Sequence, residues 1–175
     1  AEDYRDLKGT FDRVVSIEMV EAIGHRWLKR FARVIDERLA PDGMLGLQAI
    51  TIDDRNYDRA RKHVDFIKRY IFPGSFIPSV QVLNNAFMAQ TDMRLLHLED
   101  IGPDYARTLA AWRERFLARR DEVKALGFDD GFLRMWDYYF AYCEGGFEER
   151  FLGDVQMVFA KPGARVEPRR GLIAR

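Results

Sequence analysis

The residues with the clearest chemical potential stand at 11–24, FDRVVSIEMVEAIG, where Glu18 and Glu21 fall at the junction between a β-branched run and a helical pattern. A carboxylate there can accept a proton or hold a cation, and in open α/β sheets ligands bind outside the carboxyl ends of strands. The plain alternative is a pair of surface carboxylates favoured by the positive end of a helix. Other chemistry is thinner. His25, His63 and His97 are scattered over different predicted elements, and no Ser or Cys stands with a histidine in a nucleophile context. Cys143 sits among aromatic residues, which favours a buried thiol over a reactive one. No GxGxxG loop, P-loop or metal-ligand spacing is present, so no metal site is expected.

The elements that must position these carboxylates follow from periodicity. Residues 14–17 read as a buried strand, and from Met19 onward Val20, Ile23, Trp27, Phe31 and Val34 recur at helical spacing, predicting one helix up to Leu39. Ala40-Pro41-Asp42-Gly43 stops it. Residues 44–50 are nearly all apolar, with Gln48 the polar interruption near the carboxyl end of an interior strand. The charged stretch 53–61 is expected to be exposed, and an aromatic-aliphatic segment then runs from Val64 to Phe72. Ser79 caps a helix over 80–89, and 93–98 read as a third strand. Pro103 opens an amphipathic helix carrying Tyr105, Leu109, Trp112 and Phe116 to about Gly127. A second long helix covers 130–147, with Phe132, Met135, Trp136, Tyr139, Phe140 and Cys143 as core, and 155–160 form the last strand. The order gives an α/β fold with a helical elaboration over one end of the sheet. Residues 1–161 form one unit, and 162–175, with Arg165, Arg169, Arg170 and Arg175, read as a frayed polar tail.

At 175 residues and 47% hydrophobic content the chain can bury one sizeable core. Lys plus Arg balance Asp plus Glu at 28 each, so no overall field points to nucleic acid. One cysteine excludes an internal disulfide and suits a reducing compartment. No apolar run reaches the roughly eighteen residues of a membrane span. Surface contact with a membrane is another matter: Arg59, Arg61, Lys62, Lys68 and Arg69 lie beside Phe66, Tyr70, Ile71 and Phe72, a mix suited to anionic headgroups and an acyl chain. The same mix also suits an amphipathic helix packed on its own sheet.

Six segments taken in order carry a resemblance that composition does not supply: DYRDL, FDRVVSIEMVEAIG, LAPDGMLGLQAIT, DFIKRYIFPGSFIPS, DIGPDYARTLAAWRERF and MWDYYFAYCEGGF. Over 3–161 the chain resembles the C-terminal part of the cyclopropane-fatty-acyl-phospholipid synthases, the group that includes the mycolic acid cyclopropane synthases. The resemblance implies the C-terminal half of a Rossmann-like S-adenosylmethionine methyltransferase sheet with helical insertions over the lipid site. The first strands and the glycine-rich loop would lie before Ala1, so the isolated chain is expected to be inactive. It further implies a cytoplasmic enzyme peripheral to the inner face of the membrane, acting on unsaturated phospholipid acyl chains.

The implied reaction moves an electrophilic methyl from a sulfonium to a cis double bond. A carbocation results, and proton loss from the new methyl closes a cyclopropane ring. Aromatic faces stabilise such cations by roughly 0.5 to 2 kcal/mol each. In the resembling enzymes a bound bicarbonate is the expected base, held by a glutamate, a histidine, a tyrosine and backbone atoms. Within the family pattern SxxxxEHxG the glutamate matches Glu21; the tyrosine four residues before the cysteine matches Tyr139, and the backbone position matches Ile50. The histidine matches Gln48, a departure, and the EH pair is Glu21-Ala22. Gln48 can donate a hydrogen bond but cannot carry a proton as imidazole does, which weakens the bicarbonate expectation. For the S-adenosylmethionine side, Tyr4 resembles the aromatic residue flanking adenine, Asp3 is its neighbour, and Ile17 and Glu18 stand at the mouth of the cofactor site. Two other functions stay open: transfer to a lipid or other apolar acceptor that leaves a methyl or methylene branch, and a non-catalytic module whose open strand edge favours a homodimer.

Overall fold

In the computed structural model, which describes residues 2–165, a four-stranded sheet has the order β1-β2-β4-β3. The strands are β1 (Phe11–Ile17), β2 (Leu39–Ile52), β3 (Arg94–Asp100) and β4 (Leu152–Ala160). Strands β1 and β2 are parallel, with Ile17 opposite Gln48, and the crossover between them is helical, as a parallel pair requires. Strand β4 runs antiparallel to both β2 and β3, placing Gln156 opposite Gln48 and Asp154 opposite Ile50. The carboxyl ends of β1, β2 and β3 therefore meet the start of β4 at one end of the sheet.

One hydrophobic cluster joins that sheet to α2 (Leu28–Arg38) and α4 (Val80–Met88). It is centred on Phe31, Leu45, Leu83, Phe87, Met157 and Phe159, all essentially inaccessible, with Phe87 stacked on Phe159 at 4.5 Å. Ser79 caps α4 as expected, accepting from the Val82 amide at 3.3 Å. A second cluster holds α5 (Gly102–Ala118) against α7 (Asp130–Glu148), and Ile50 and Leu152 pack onto it from the sheet. The helical pair thus covers the end of the sheet where the carboxylates lie.

Several expected elements differ. The helix predicted over 19–39 is broken: α1 (Val20–Ile23) ends at Gly24, whose φ of 83° suits glycine, and a 3-10 turn at His25–Trp27 precedes α2. Strand β2 takes over at Leu39, so Ala40 to Gly43 continue the strand that begins there instead of forming a separate stop. The stretch 53–61 is not simply exposed charge. Asp53 caps α3 (Asp54–Lys62) by accepting from the Arg55 amide at 2.8 Å, and the helix buries Tyr57. The aromatic-aliphatic segment after it winds into a π-helical turn, Ile67–Ile71. The helix predicted from Pro103 to Gly127 divides at Arg119 into α5 and α6 (Arg120–Ala125), with no glycine or proline at the break to announce it. Strand β1, expected to be buried, lies on the sheet edge with Val15 and Ile17 more than 60% exposed.

The start of the predicted frayed tail is anchored. The Gly163 amide donates to the Pro41 carbonyl at 3.2 Å, and a Cβ at Gly163 would come within 2.5 Å of that oxygen. Arg169, Arg170 and Arg175 lie outside the described residues. Because Phe159 is sealed between the sheet and α4, Phe159→Ala should destabilise the protein by about 3–5 kcal/mol, read as a lowered urea midpoint with an unchanged slope.

Candidate functional site

Four polar side chains interlock where the strand ends meet α5. The Gln48 Nε2 donates both to Glu18 Oε1 at 3.0 Å and to Asp154 Oδ2 at 2.9 Å, while its Oε1 accepts from Gln156 Nε2 at 3.0 Å. Carboxylates accept only, so the amide can face them in one orientation. Glu18 Oε2 accepts from the Tyr105 hydroxyl at 3.0 Å, tying α5 to the sheet. The Glu18 backbone, at a φ of 48°, turns sharply after β1 and donates its N–H to the Gln48 carbonyl at 3.0 Å. A non-glycine residue held in that region marks a position the surroundings enforce.

Glu21 forms the second half of the site. Its Oε1 accepts the Ile50 N–H at 2.6 Å, a short charge-assisted bond, and its carbonyl accepts the Phe76 N–H at 3.0 Å. Its Oε2 is buried with no partner, as is Asp154 Oδ1. Burial is the main force raising the Glu21 carboxyl to about 7; the Ile50 hydrogen bond opposes it, and the charges of Glu18 and Asp154 add to it. Burial, then the Glu18 charge, likewise raises the fully buried Asp154 to about 6 against the pull of Gln48. No lysine or arginine contributes to either shift.

An aromatic wall stands beside these carboxylates. Tyr105 stacks on Phe147 at 4.8 Å, and Tyr139 meets Trp136 edge-on at 5.2 Å and Phe72 at 6.1 Å. Ile50 packs into the same cluster as Tyr105, Trp136 and Tyr139. Burial pushes the Tyr139 phenol and the Cys143 thiol each up to about 12, so both are neutral at physiological pH. Burial and the Glu18 charge also raise the Tyr105 phenol.

Among the sequence candidates, Glu21 and Ile50 touch directly, Glu18 and Gln48 touch directly, and Tyr139 faces the same apolar cluster as Ile50. Asp3 and Tyr4 belong to another neighbourhood. Asp3 spends both oxygens on Arg5, whose side-chain hydrogen bond holds the carboxyl well below its usual range, and Tyr4 packs edge-on against Phe31 at 5.6 Å. Ile17 is exposed at the end of β1. Asp154, Tyr105 and Gln156 belong to the site without having been singled out in the sequence. An aspartate among the apolar residues of β4 was the available signal, since a buried charge needs partners. Among the described residues no cluster of three or more His, Cys, Asp and Glu could hold a metal ion, and no helix is long and apolar enough to cross a membrane.

The two organic groups expected here fare differently. A cluster of carboxylates with unpartnered buried oxygens and, among the described residues, no cation beside it fits a positively charged ligand such as a sulfonium. For bicarbonate the expected groups divide: both Gln48 N–H groups and the Ile50 N–H are bound to carboxylates, while the Tyr139 hydroxyl is neutral and makes no hydrogen bond among the described residues.

The sheet and its helical cover define an α/β methyltransferase fold, and comparison with known proteins narrows it. The chain belongs to the mycolic acid cyclopropane synthetase family, whose model matches residues 1–157. It is 40% identical over 161 residues to the tuberculostearic acid methyltransferase UfaA1 of Mycobacterium tuberculosis, with 92% of this chain and 38% of that protein covered. It is 37% identical over 161 residues to the cyclopropane-fatty-acyl-phospholipid synthase of Escherichia coli K12, with 91% of this chain and 40% of that protein covered. The structure of the cyclopropane synthase MmaA2 from Mycobacterium tuberculosis superposes with a TM-score of 0.80 at 26% identity, with 90% of this chain and 58% of that one covered. The chain thus spans about two fifths of the length of these curated relatives.

The carboxyl of Asp154 makes stability depend on pH. With its folded value raised from 3.8 to about 6, Asp154 binds its proton more tightly in the folded state. Its contribution is fully present below pH 3.8 and is lost as pH rises through about 6. Asp154→Asn should therefore melt higher than the parent near neutral pH, and calorimetry below pH 3.8 should show the two converging.

Proposed function

We propose that the protein carrying this chain transfers one carbon from S-adenosylmethionine to the double bond of a lipid acyl chain, with a cyclopropane phospholipid as the product. The observation carrying this reading is the pairing of an uncompensated carboxylate cluster with a wall of neutral aromatic rings at the carboxyl ends of β1 and β2. The names of the relatives support the substrate class, one a cyclopropane-fatty-acyl-phospholipid synthase and the other a tuberculostearic acid methyltransferase.

When bound, S-adenosylmethionine supplies an electrophilic methyl on a cationic sulfur. Ile17 and Glu18 would lie beside it, with Tyr4 and Asp3 toward the adenosine. Glu18, Glu21 and Asp154 favour positive charge here. The faces of Tyr139, Trp136 and Tyr105 can stabilise a cation developing on the acyl chain while excluding water. Tyr139 stays protonated and so does not quench that cation as a phenolate would.

A second reading, in which the acyl chain keeps a methyl or methylene branch, is favoured by Gln48 at the histidine position and by the 40% identity to a methyltransferase. Incubating the full-length protein with labelled S-adenosylmethionine and monounsaturated phospholipid vesicles separates them. The first reading predicts a lipid heavier by one CH2 with its double bond gone; a retained alkene or a branched chain selects the second, and no lipid label at all refutes both.

Access to such a lipid would run through residues 57–76. Phe66 seats this segment on α7, meeting Tyr138 edge-on at 4.7 Å, while Val64 and Tyr70 are exposed. Two of its basic groups are engaged: Lys68 donates to the carbonyls of Ala60 and His63, and Arg61 pairs with Asp58 at 3.2 Å. Arg59 and Lys62, with Arg69 lying at 5.6 Å over the exposed Tyr70 ring, are left to meet anionic headgroups on the inner face of the membrane. Reversing these three to glutamate in the full-length protein should weaken binding to anionic vesicles in sedimentation assays and spare binding of S-adenosylmethionine.

A further inference from the structure

We propose, resting on the lipid-transfer reading, that residues 61–75 are a lid that swings away from α7 to admit the acyl chain to the aromatic wall and then closes over it. Its two ends are fixed at one place. Tyr57 and Phe76, which flank it, are buried and both meet His25: the Tyr57 hydroxyl shares a hydrogen bond with His25 Nδ1, and the Phe76 ring stands edge-on to the imidazole at 6.3 Å. The Phe76 N–H also donates to the Glu21 carbonyl at 3.0 Å. Between those anchors none of residues 61–75 is buried. Gly74, at a φ of 84° with open space where a Cβ would stand, gives the second end a pivot that a bulkier residue would strain.

Along its length the segment is a body of its own. Among the described residues its hydrogen bonds and ion pairs stay within 57–75: Asp65 Oδ1 accepts the Lys68 N–H at 2.9 Å, the Phe72 N–H donates to the Ile67 carbonyl at 2.8 Å, and Lys68 Nζ reaches only to the carbonyls of Ala60 and His63 beside the first anchor. What joins it to α7 is ring edges. Phe66 meets Tyr138 at 4.7 Å and Tyr142 at 6.1 Å, and Phe72 meets Tyr139 at 6.1 Å. Helix α5, which also packs on α7, is fastened instead: Arg113 pairs with Asp137 at 2.6 Å, and the Tyr105 hydroxyl bonds Glu18. Ring contacts can part and re-form without leaving a buried polar group unpaired, whereas the α5 contacts cannot.

What the lid covers is the part of α7 that faces the reaction. Phe72 lies against Tyr139, whose ring belongs to the aromatic wall. Asp65 lies close enough to Cys143 and Tyr142 for its charge to add to burial in raising both groups. With the segment down, the Tyr139 ring is shielded from water; with it raised, a strip of α7 from Tyr138 to Cys143 is open to an apolar chain. A hydrocarbon offers no polar atom for the protein to grasp, so a cover held only by apolar edges is one that such a chain can displace and then replace.

The test pins the lid in the full-length protein. Phe66→Cys and Tyr138→Cys are combined with Cys143→Ser, bridged by a short bis-methanethiosulfonate, and assayed with labelled S-adenosylmethionine and monounsaturated phospholipid vesicles. The bridged protein should bind S-adenosylmethionine as the unbridged one does, yet lose at least about tenfold in lipid labelling, and reductant should restore the rate. The Cys143→Ser protein given the same reagent shows what the reagent does alone. A second measurement needs no activity: nitroxides at Val64→Cys on the lid and Arg134→Cys on α7, both exposed positions, in a background whose native cysteines are serine. Their separation should show two populations, shifted in proportion by the vesicles. A bridged protein at the unbridged rate, or one narrow distance with and without vesicles, would overturn the proposal. Absence of any lipid label in the unbridged protein would instead refute the lipid-transfer reading and the lid's part in it, while the nitroxide distances still decide whether the segment moves.

Discussion

The structure turns on the burial of acidic side chains around one neutral amide. Gln48 lies at the centre of the sheet end, and among the described residues its two N–H groups are the only side-chain donors that Glu18 and Asp154 share. A carboxylate removed from water costs several kcal/mol unless it is hydrogen-bonded, and an amide satisfies it without neutralising it. The site therefore keeps its negative charge. A histidine at the same position could take up a proton and cancel part of that charge, so glutamine makes this pocket permanently more attractive to cations and less so to anions.

That constraint reaches outward through the fold. Tyr105 bonds Glu18 from α5, and Ile50 offers its N–H to Glu21 and its side chain to the aromatic cluster on α7. The helical cover and the strand ends thus share the same few residues, so a shift of α5 or α7 would alter hydrogen bonding and electrostatics together. Chemical groups come from the sheet end, and the apolar lining comes from the helices. This division suits a reaction on a hydrocarbon chain, where the protein has no polar substrate atom to grasp and must work through shape, charge and exclusion of water.

Much of this was legible before the structure. The switch from β-branched to helical spacing put Glu18 and Glu21 at a strand end, and one glutamine in an apolar run marked Gln48 as interior. Asp154 falls just before the strand predicted over 155–160, whereas β4 begins at Leu152; the antiparallel register, which sets Asp154 opposite Ile50, brings it into the site. By its spacing Tyr105 belongs to a helix's apolar face, and periodicity carries no information about where a phenol's hydroxyl ends up. The break at Gly24 was hidden by apolar residues that stay in helical phase across it. The resemblance to the family supplied what spacing could not, the likeness of Tyr139 and Ile50 to groups at a reaction centre. It also brought an expectation of bicarbonate, for which the N–H groups of Gln48 and Ile50 are turned to carboxylates and the Tyr139 hydroxyl is the remaining donor among the described residues.

The central claim is that this acidic cluster is buried and uncompensated, and carboxyl-carbon NMR titration of protein labelled at glutamate and aspartate measures it most directly. The account predicts that Glu21 titrates near 7 and Asp154 near 6, each assigned by its loss in the Glu21→Gln or Asp154→Asn variant. Titration of both at the ordinary values of 4.5 and 3.8 would mean that water or a cation already compensates the cluster, and would contradict the account.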